Sequence, residues 1–242
     1  MQASLSKLFK NEKIKIYHEA KFKRMKNKIL NLFAIVCLLL ATTILQAQEP
    51  KKFKADNGKY GFKNAEGKEI VTAQYTDANT FSEDLAAVQK NGKWGYINPN
   101  GKEIIPFKYD YTTYFKNGMA VVYVNQKVGY INKTGQEVIA PQFGWAGDFS
   151  EGMAAIKIDG KFGFIDQTGK VIVPIKYDKV NWWFTNGIGN VQLNGKWGFV
   201  DKTGKEIISP QFETAGKFLN GKAKVTKDNR SFYIDTTGKE IE

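Results

Sequence analysis

The chain of 242 residues carries a single cysteine, Cys37, and a single histidine, His18. Both fall within the first 47 residues, so the remainder has neither. Without imidazole or thiolate, that remainder cannot build a Ser-His-Asp or Cys-His nucleophile. A zinc site of His or Cys ligands is excluded. An internal disulfide is excluded too, even in a compartment that would permit one. Arginine is almost as scarce: past residue 47 only Arg230 is left, which is little for bidentate readout of phosphates or bases. An uncleaved transmembrane anchor is the alternative reading of the leader, and its apolar run is short for one. Residues 32–41 form the longest uninterrupted apolar core, and a spanning helix needs about 20 residues. Carboxylate, Lys, Tyr and oxygen-ligand chemistry stay open.

Charge is plentiful, at a formal net +12. Taken whole, that balance points to nucleic acid or an anionic membrane. Its location changes the reading. Residues 25–47 have the outline of a secretory signal peptide: Lys26 and Lys28, an apolar stretch over residues 29–45, and small Ala47 before Gln48. Cleavage is expected after Ala47. Cys37 is not read as a lipoprotein cysteine, because Val36 stands where a small residue is needed. The 24 residues before Met25 fit no part of such a signal, so Met25 is a candidate start. Residues 1–47 hold nine of the 36 basic and two of the 24 acidic residues, leaving 27 against 22. A mixed-charge surface follows, with no nucleic-acid partner and membrane contact only through the leader during export. The expected location is secreted, periplasmic or cell envelope.

Past the leader the chain repeats. Gly61, Gly95, Gly129, Gly163 and Gly198 each follow an aromatic or apolar residue, and Phe232 takes the sixth place. Gly67, Gly101, Gly135, Gly169, Gly204 and Gly238 keep the same spacing. The steps are 34 residues, with one of 35. Two columns of one period mark a tandem repeat, and residues 48–242 are read as one domain. In the second copy, residues 86–90 and 93–97 flank Asn91-Gly92, a two-residue hairpin signal. Asn98-Pro99-Asn100-Gly101 turns into a third strand, residues 102–106. Period two puts Ala86 and Val88 on one face of the first strand, with the Ala87, Val121, Ala155, Asn190 and Lys224 positions drifting polar on the other. Trp94 and Tyr96 share a face of the second strand, and Gly95 lies opposite, where a bulky group or a backbone approaches. Residues 51–56 are the candidate first strand of the first copy, with Lys52 and Lys54 on the core columns.

The pattern Phe-x-x-Gly-x-Ala-x-Val, then Asn-Gly-Lys-Trp-Gly-Tyr-Ile, then Gly-Lys-Glu-Ile-Ile-Pro resembles the WG (KWG) repeat. Val128 departs from it in the third copy, and the sixth copy is worn. The resemblance implies bacterial β-rich modules, often exported, and little about chemistry. The expected fold is all-β: three-stranded antiparallel meanders in a propeller-like or curved array, or else an open β-solenoid with capped ends.

No catalytic residue, metal ligand or cofactor is assigned. The column Asn64, Asn98, Asn132, Asp166, Asp201 and Asp235 offers one Asx per turn, and calcium needs six to eight oxygens, so turn chemistry is the reading. Glu83-Asp84 and Asp148/Glu151 are the carboxylate pairs that a carboxylate-only hydrolase would use. The 35-residue step adds its residue in Asn181-Trp182-Trp183. With Trp145, Tyr111 and Tyr114 these aromatics exceed the repeat's own Tyr/Phe pair. They either fill gaps between units or line a rim that stacks on a sugar or grips a peptide. The expected function is a non-catalytic exported repeat protein that presents a surface to a protein partner in the envelope. The alternative is a carbohydrate- or cell-wall-binding module.

Overall fold

The computed structural model describes residues 25–26 and 49–241. The leader assigned to residues 1–47 therefore lies outside the described residues except at Met25 and Lys26. Pro50–Glu242 forms one compact unit. It is a series of six antiparallel sheets, one per copy. The first has three strands, β1 (Lys51–Lys54), β2 (Tyr60–Lys63) and β3 (Glu69–Tyr75). The second has four, in the order β4 (Asp77–Ala78), β5 (Ala86–Lys90), β6 (Lys93–Ile97) and β7 (Glu103–Tyr109). The other sheets repeat the second.

The fourth strand is absent from the sequence reading. It is two residues long and sits in the connection: Asp77–Ala78, Tyr111–Thr112, Trp145–Ala146, Lys179–Val180 and Thr214–Ala215. Each lies antiparallel to the following strand, as Asp77 opposite Gln89 and Ala78 opposite Val88. The turns are as expected. Asn91 and Gly92 have φ of 52° and 78°, the left-handed pair of a type I′ turn. The Asn98 side chain accepts from the Asn100 and Lys102 amides at 3.1 and 3.0 Å.

The glycine after Trp94 is explained by its own sheet. Trp94 pairs with Tyr109 and Tyr96 with Ile105, so Gly95 alone faces the bulge of residues 106–108. A Cβ on Gly95 would lie 2.7 Å from the Ile105 carbonyl oxygen. The bulge also hosts Pro106, which cannot donate to a ladder.

Both faces of an inner sheet are covered, which corrects the expected polar drift. Ala87, Val121 and Ala155 are buried, and so is Asn190. The reason is face-to-face stacking. Ala87, Trp94, Tyr96, Ile105 and Tyr109 of the second sheet meet Phe115, Ala120, Val122 and Ile131 of the third. Each of the larger apolar side chains among them stabilises by roughly 1.5–3 kcal/mol when fully buried. The Tyr96 hydroxyl is satisfied by Thr112 and by the Thr113 carbonyl.

The end sheets differ. β1 pairs one residue out of the expected register: Phe53 sits opposite Gly61, the place Val88 holds opposite Gly95. Lys52 and Lys54 are therefore not on the columns predicted for them. The cause is turn length, because residues 55–59 replace the two-residue Asn-Gly turn. Lys52 instead donates to the Ala78 carbonyl at 2.6 Å. The outer face carries Lys51, Phe53 and Lys63, with the Lys63 ammonium 4.5 Å from the Phe53 ring centroid. At the other end, Tyr233 is 40% exposed where its equivalent Phe199 is fully buried, and Lys224 beside it is exposed. Among the described residues the two end faces do not cover one another. Phe232 stands at the glycine position of this last sheet, where the described part of the third strand is Glu240–Ile241. Arg230 lies 4.4 Å from the Phe232 ring and holds Glu240 through two 2.6 Å bonds.

Candidate functional site

Each connection is pinned by one buried phenylalanine: Phe81, Phe115, Phe149, Phe184 and Phe218. The residue before it is not part of the repeat pattern. It is Thr80, Tyr114, Asp148, Trp183 and Lys217 in turn. Of these variable residues, Asp148 and Lys217 come beside Trp183 along one rim. The extra residue of the fourth connection puts Trp182 there as well.

Trp182 and Trp183 are 54% and 56% exposed. They do not fill a gap between units. Their centroids lie 6.3 Å apart at 77°. Trp145, partly buried, lies 5.4 Å from Trp182 at 49° and 6.0 Å from Phe162. The Trp145 indole rests on Gly147, where a Cβ would come within 3.2 Å of it. Tyr130 fixes that segment by donating to the Gly147 carbonyl at 2.6 Å.

The two exposed indoles form a wall between two clefts. One, of about 240 Å³, is lined by Thr113, Tyr123, Trp145, Asp148, Trp182 and Trp183, with Val121, Ala146 and Gly147. The other, of about 420 Å³, is lined by Val180, Asn181, Thr185 and Lys217 as well as the two tryptophans. The structure thus brings Trp145, Trp182 and Trp183 together. Tyr111 stands apart, 5.7 Å from Trp94 and 5.6 Å from Tyr123, and reaches the smaller cleft only through Tyr123. Tyr114 is exposed but lines neither cleft. Sequence reasoning missed Tyr123, Thr113 and Lys217 and weighed Asp148 only as half of a carboxylate pair. Aligning the connections on their buried phenylalanine would have found Asp148 and Lys217.

The paired acids do other work. Glu83 accepts from the Gly118 amide at 3.0 Å. Glu151 accepts from the Asn186 and Gly187 amides, both at 2.9 Å, with Lys202 3.5 Å away. Burial pushes the Glu151 carboxyl up, but those amides and Lys202 outweigh it and hold the carboxyl below its ordinary range. Glu83 and Glu151 are clamps from one copy to the turn of the next. Asp110 and Asp178 clamp hairpins: each takes a lysine (Lys93, Lys161) and a turn amide (Asn125, Asn194) at 2.5–2.7 Å. The Asx column bonds its own turns. Asp166, for example, accepts from Thr168 and from the Lys170 amide. Among the described residues no group of three His, Cys, Asp or Glu could hold a metal ion.

The family model of a WG containing repeat matches the chain five times, over residues 60–94, 94–127, 129–162, 162–197 and 197–230. No curated protein matches. Among solved structures, a eukaryotic initiation factor is similar at 13% identity and a TM-score of 0.51, over 81% of this chain and 63% of that one. Hsv2 of Kluyveromyces lactis is similar at 10% identity and 0.44, over 79% and 72%. These are likenesses of fold alone.

Proposed function

The chain belongs to the WG containing repeat family, and from that premise we propose that it is a non-catalytic, exported binding module whose ligand surface is the tryptophan rim. One observation carries the reading. Two large indoles stand more than half exposed on a rim where the other copies carry Thr80, Tyr114, Asp148 and Lys217. Leaving such surface in water is unfavourable, and nothing in the repeat requires it. Hydrolysis by carboxylates alone is disfavoured, because Glu83 and Glu151 spend their oxygens on the clamps. The partner we favour is a protein of the cell envelope. Crosslinking pull-down from an envelope fraction tests this, with the wild type against the Trp182→Ala, Trp183→Ala double variant. Partners captured only by the wild type are expected. An identical set from both would sink the rim as the site. Export is tested separately: the secreted product should begin at Gln48, and a start far from it overturns that part.

A carbohydrate reading has its own observation, the two clefts flanking one indole wall. Exposed indole faces can stack on sugar rings. A glycan array probed with both proteins decides it: binding lost with the indoles supports this reading, and an empty array dismisses it.

A further inference from the structure

We infer that the smaller cleft receives a positively charged organic ammonium group carried by the partner, a quaternary or alkylated ammonium in particular. The inference rests on the rim being a binding surface and names what that surface selects. The first argument is shape. Trp145, Trp182 and Trp183 meet at 49° and 77° rather than lying flat. Together with Tyr123 they line an open cleft of about 240 Å³. A flat platform suits a sugar ring, whereas inclined rings surround a rounded head. The electron-rich faces of indole and phenol attract cations, and cages of such rings are a known solution for quaternary ammonium.

The second argument is charge. Asp148 lines this cleft and, among the described residues, makes no ion pair or hydrogen bond. No lysine or arginine lines it, although 27 basic residues follow residue 47. Lys217 is on the far side of the indole wall, in the larger cleft. The smaller cleft therefore offers aromatic faces and one unpaired negative charge, with no resident cation to compete. The chain uses the same chemistry next door, where the Lys157 ammonium lies 5.0 Å from the Phe162 ring on which Trp145 rests.

Tryptophan fluorescence of the full chain, titrated with choline, with its neutral isostere 3,3-dimethylbutan-1-ol and with chitin and cellulose oligosaccharides, tests the inference. Choline should saturate the signal and bind at least tenfold tighter than the neutral isostere. Trp182→Ala should weaken choline binding roughly tenfold, the range of a partly desolvated cation–π contact. Asp148→Asn should weaken choline several-fold and leave the isostere unchanged. Circular dichroism of both variants controls for folding. Equal affinity for choline and the isostere overturns the inference, as does Asp148→Asn without effect on choline. Saturation by an oligosaccharide but not by choline also overturns it, while leaving the rim as a binding surface. If no probe binds and the pull-down is unchanged by loss of the indoles, both readings fall.

Discussion

The interface between the second and third sheets and the rim above the third and fourth are built under different rules. In the interface, most positions carry the same kind of side chain as their counterparts one period away. Tyr96, Tyr130, Phe164 and Phe199 are all buried, each beside its own connection phenylalanine, with ring centroids 4.8–4.9 Å apart. At the rim the residue before that phenylalanine changes at every copy. The interface has to be made again in each copy because no sheet can bury its faces alone. The rim residue carries no such duty, so it can differ. Recurrence marks what the fold needs, and departure from recurrence marks where a ligand surface can be placed.

The largest expected effect lies in the interface. Phe164→Ala removes a fully buried ring 4.9 Å from Phe184 and should cost about 3–5 kcal/mol. The urea midpoint should fall with it. A shift as small as that of a surface change would mean the sheets do not depend on these cores. Next is Gly95→Val, whose Cβ would meet the Ile105 carbonyl oxygen at 2.7 Å and the Phe107 amide at 3.0 Å. Backbone cannot move aside as a side chain can, so about 3 kcal/mol is expected. A loss no larger than that of a surface change would break the account of the glycine column.

Much of this was legible before any coordinates. The period, the Asn-Gly turns, three of the four strands and the need for a bare Cα at Gly95 all follow from columns that recur. What was hidden has physical causes. A two-residue strand such as Asp77–Ala78 is too short to show any periodicity. The register of β1 turned on residues 55–59, whose turn length sets which side chains face inward. Ala87 and Ala155 are small enough to pass for surface, and only stacking of sheet on sheet reveals them as core. At the site, the tryptophans declared themselves by breaking the pattern. Asp148 and Lys217 did not, because a charged residue in a connection is the usual thing to find on a surface.

A smaller effect separates two tyrosines of one column. Tyr177 donates to Glu206 at 2.7 Å, and burial with that bond pushes its hydroxyl well above the ordinary range. The Tyr109 hydroxyl is buried with no hydrogen-bond partner of ordinary geometry among the described residues, although the neighbouring Lys108 ammonium partly offsets the upward push of burial on it. Tyr177→Phe should cost about 1 kcal/mol, whereas Tyr109→Phe should cost nothing and gain up to about 1 kcal/mol. Thermal unfolding of the two variants reads the difference. A matching loss in both would show that Tyr109 has a partner after all.

Acid sensitivity divides the two halves of the repeat series. Asp166, Asp201 and Asp235 are held below their ordinary range, chiefly by bonds from Thr168, Thr203 and Thr237. Their folded values lie below their unfolded ones, so the stability they supply is present above about pH 4 and is lost as pH falls through the lowered values. The first three copies carry Asn64, Asn98 and Asn132 at these turns and are indifferent to pH there. The triple Asp→Asn variant should fold as the wild type does at pH 7 and lose less stability between pH 4 and pH 2. A pH profile parallel to the wild type would place the acid sensitivity elsewhere, with the clamps of Asp110, Asp178 and Glu213 as the next groups to test.

The smallest effect on stability should come from the residues that matter most for binding. Trp182 and Trp183 leave more than half of their surface in water. Replacing both with alanine removes little buried area, and exposed substitutions of this kind stay within about 0.5 kcal/mol. Trp145 is the contrasting case on the same rim, because its indole packs on Phe162 and over Gly147. Trp145→Ala should lower stability measurably, and Gly147→Val should tilt the indole and weaken binding while the sheets stay intact. A double variant of Trp182 and Trp183 that melts with the wild type and captures nothing would complete the division between a repeated interior that holds the fold and an unrepeated rim that meets the partner. If that double variant were to unfold, the indoles would belong to the interior after all, and the distinction between the two regions would have to be redrawn around Asp148 and Lys217.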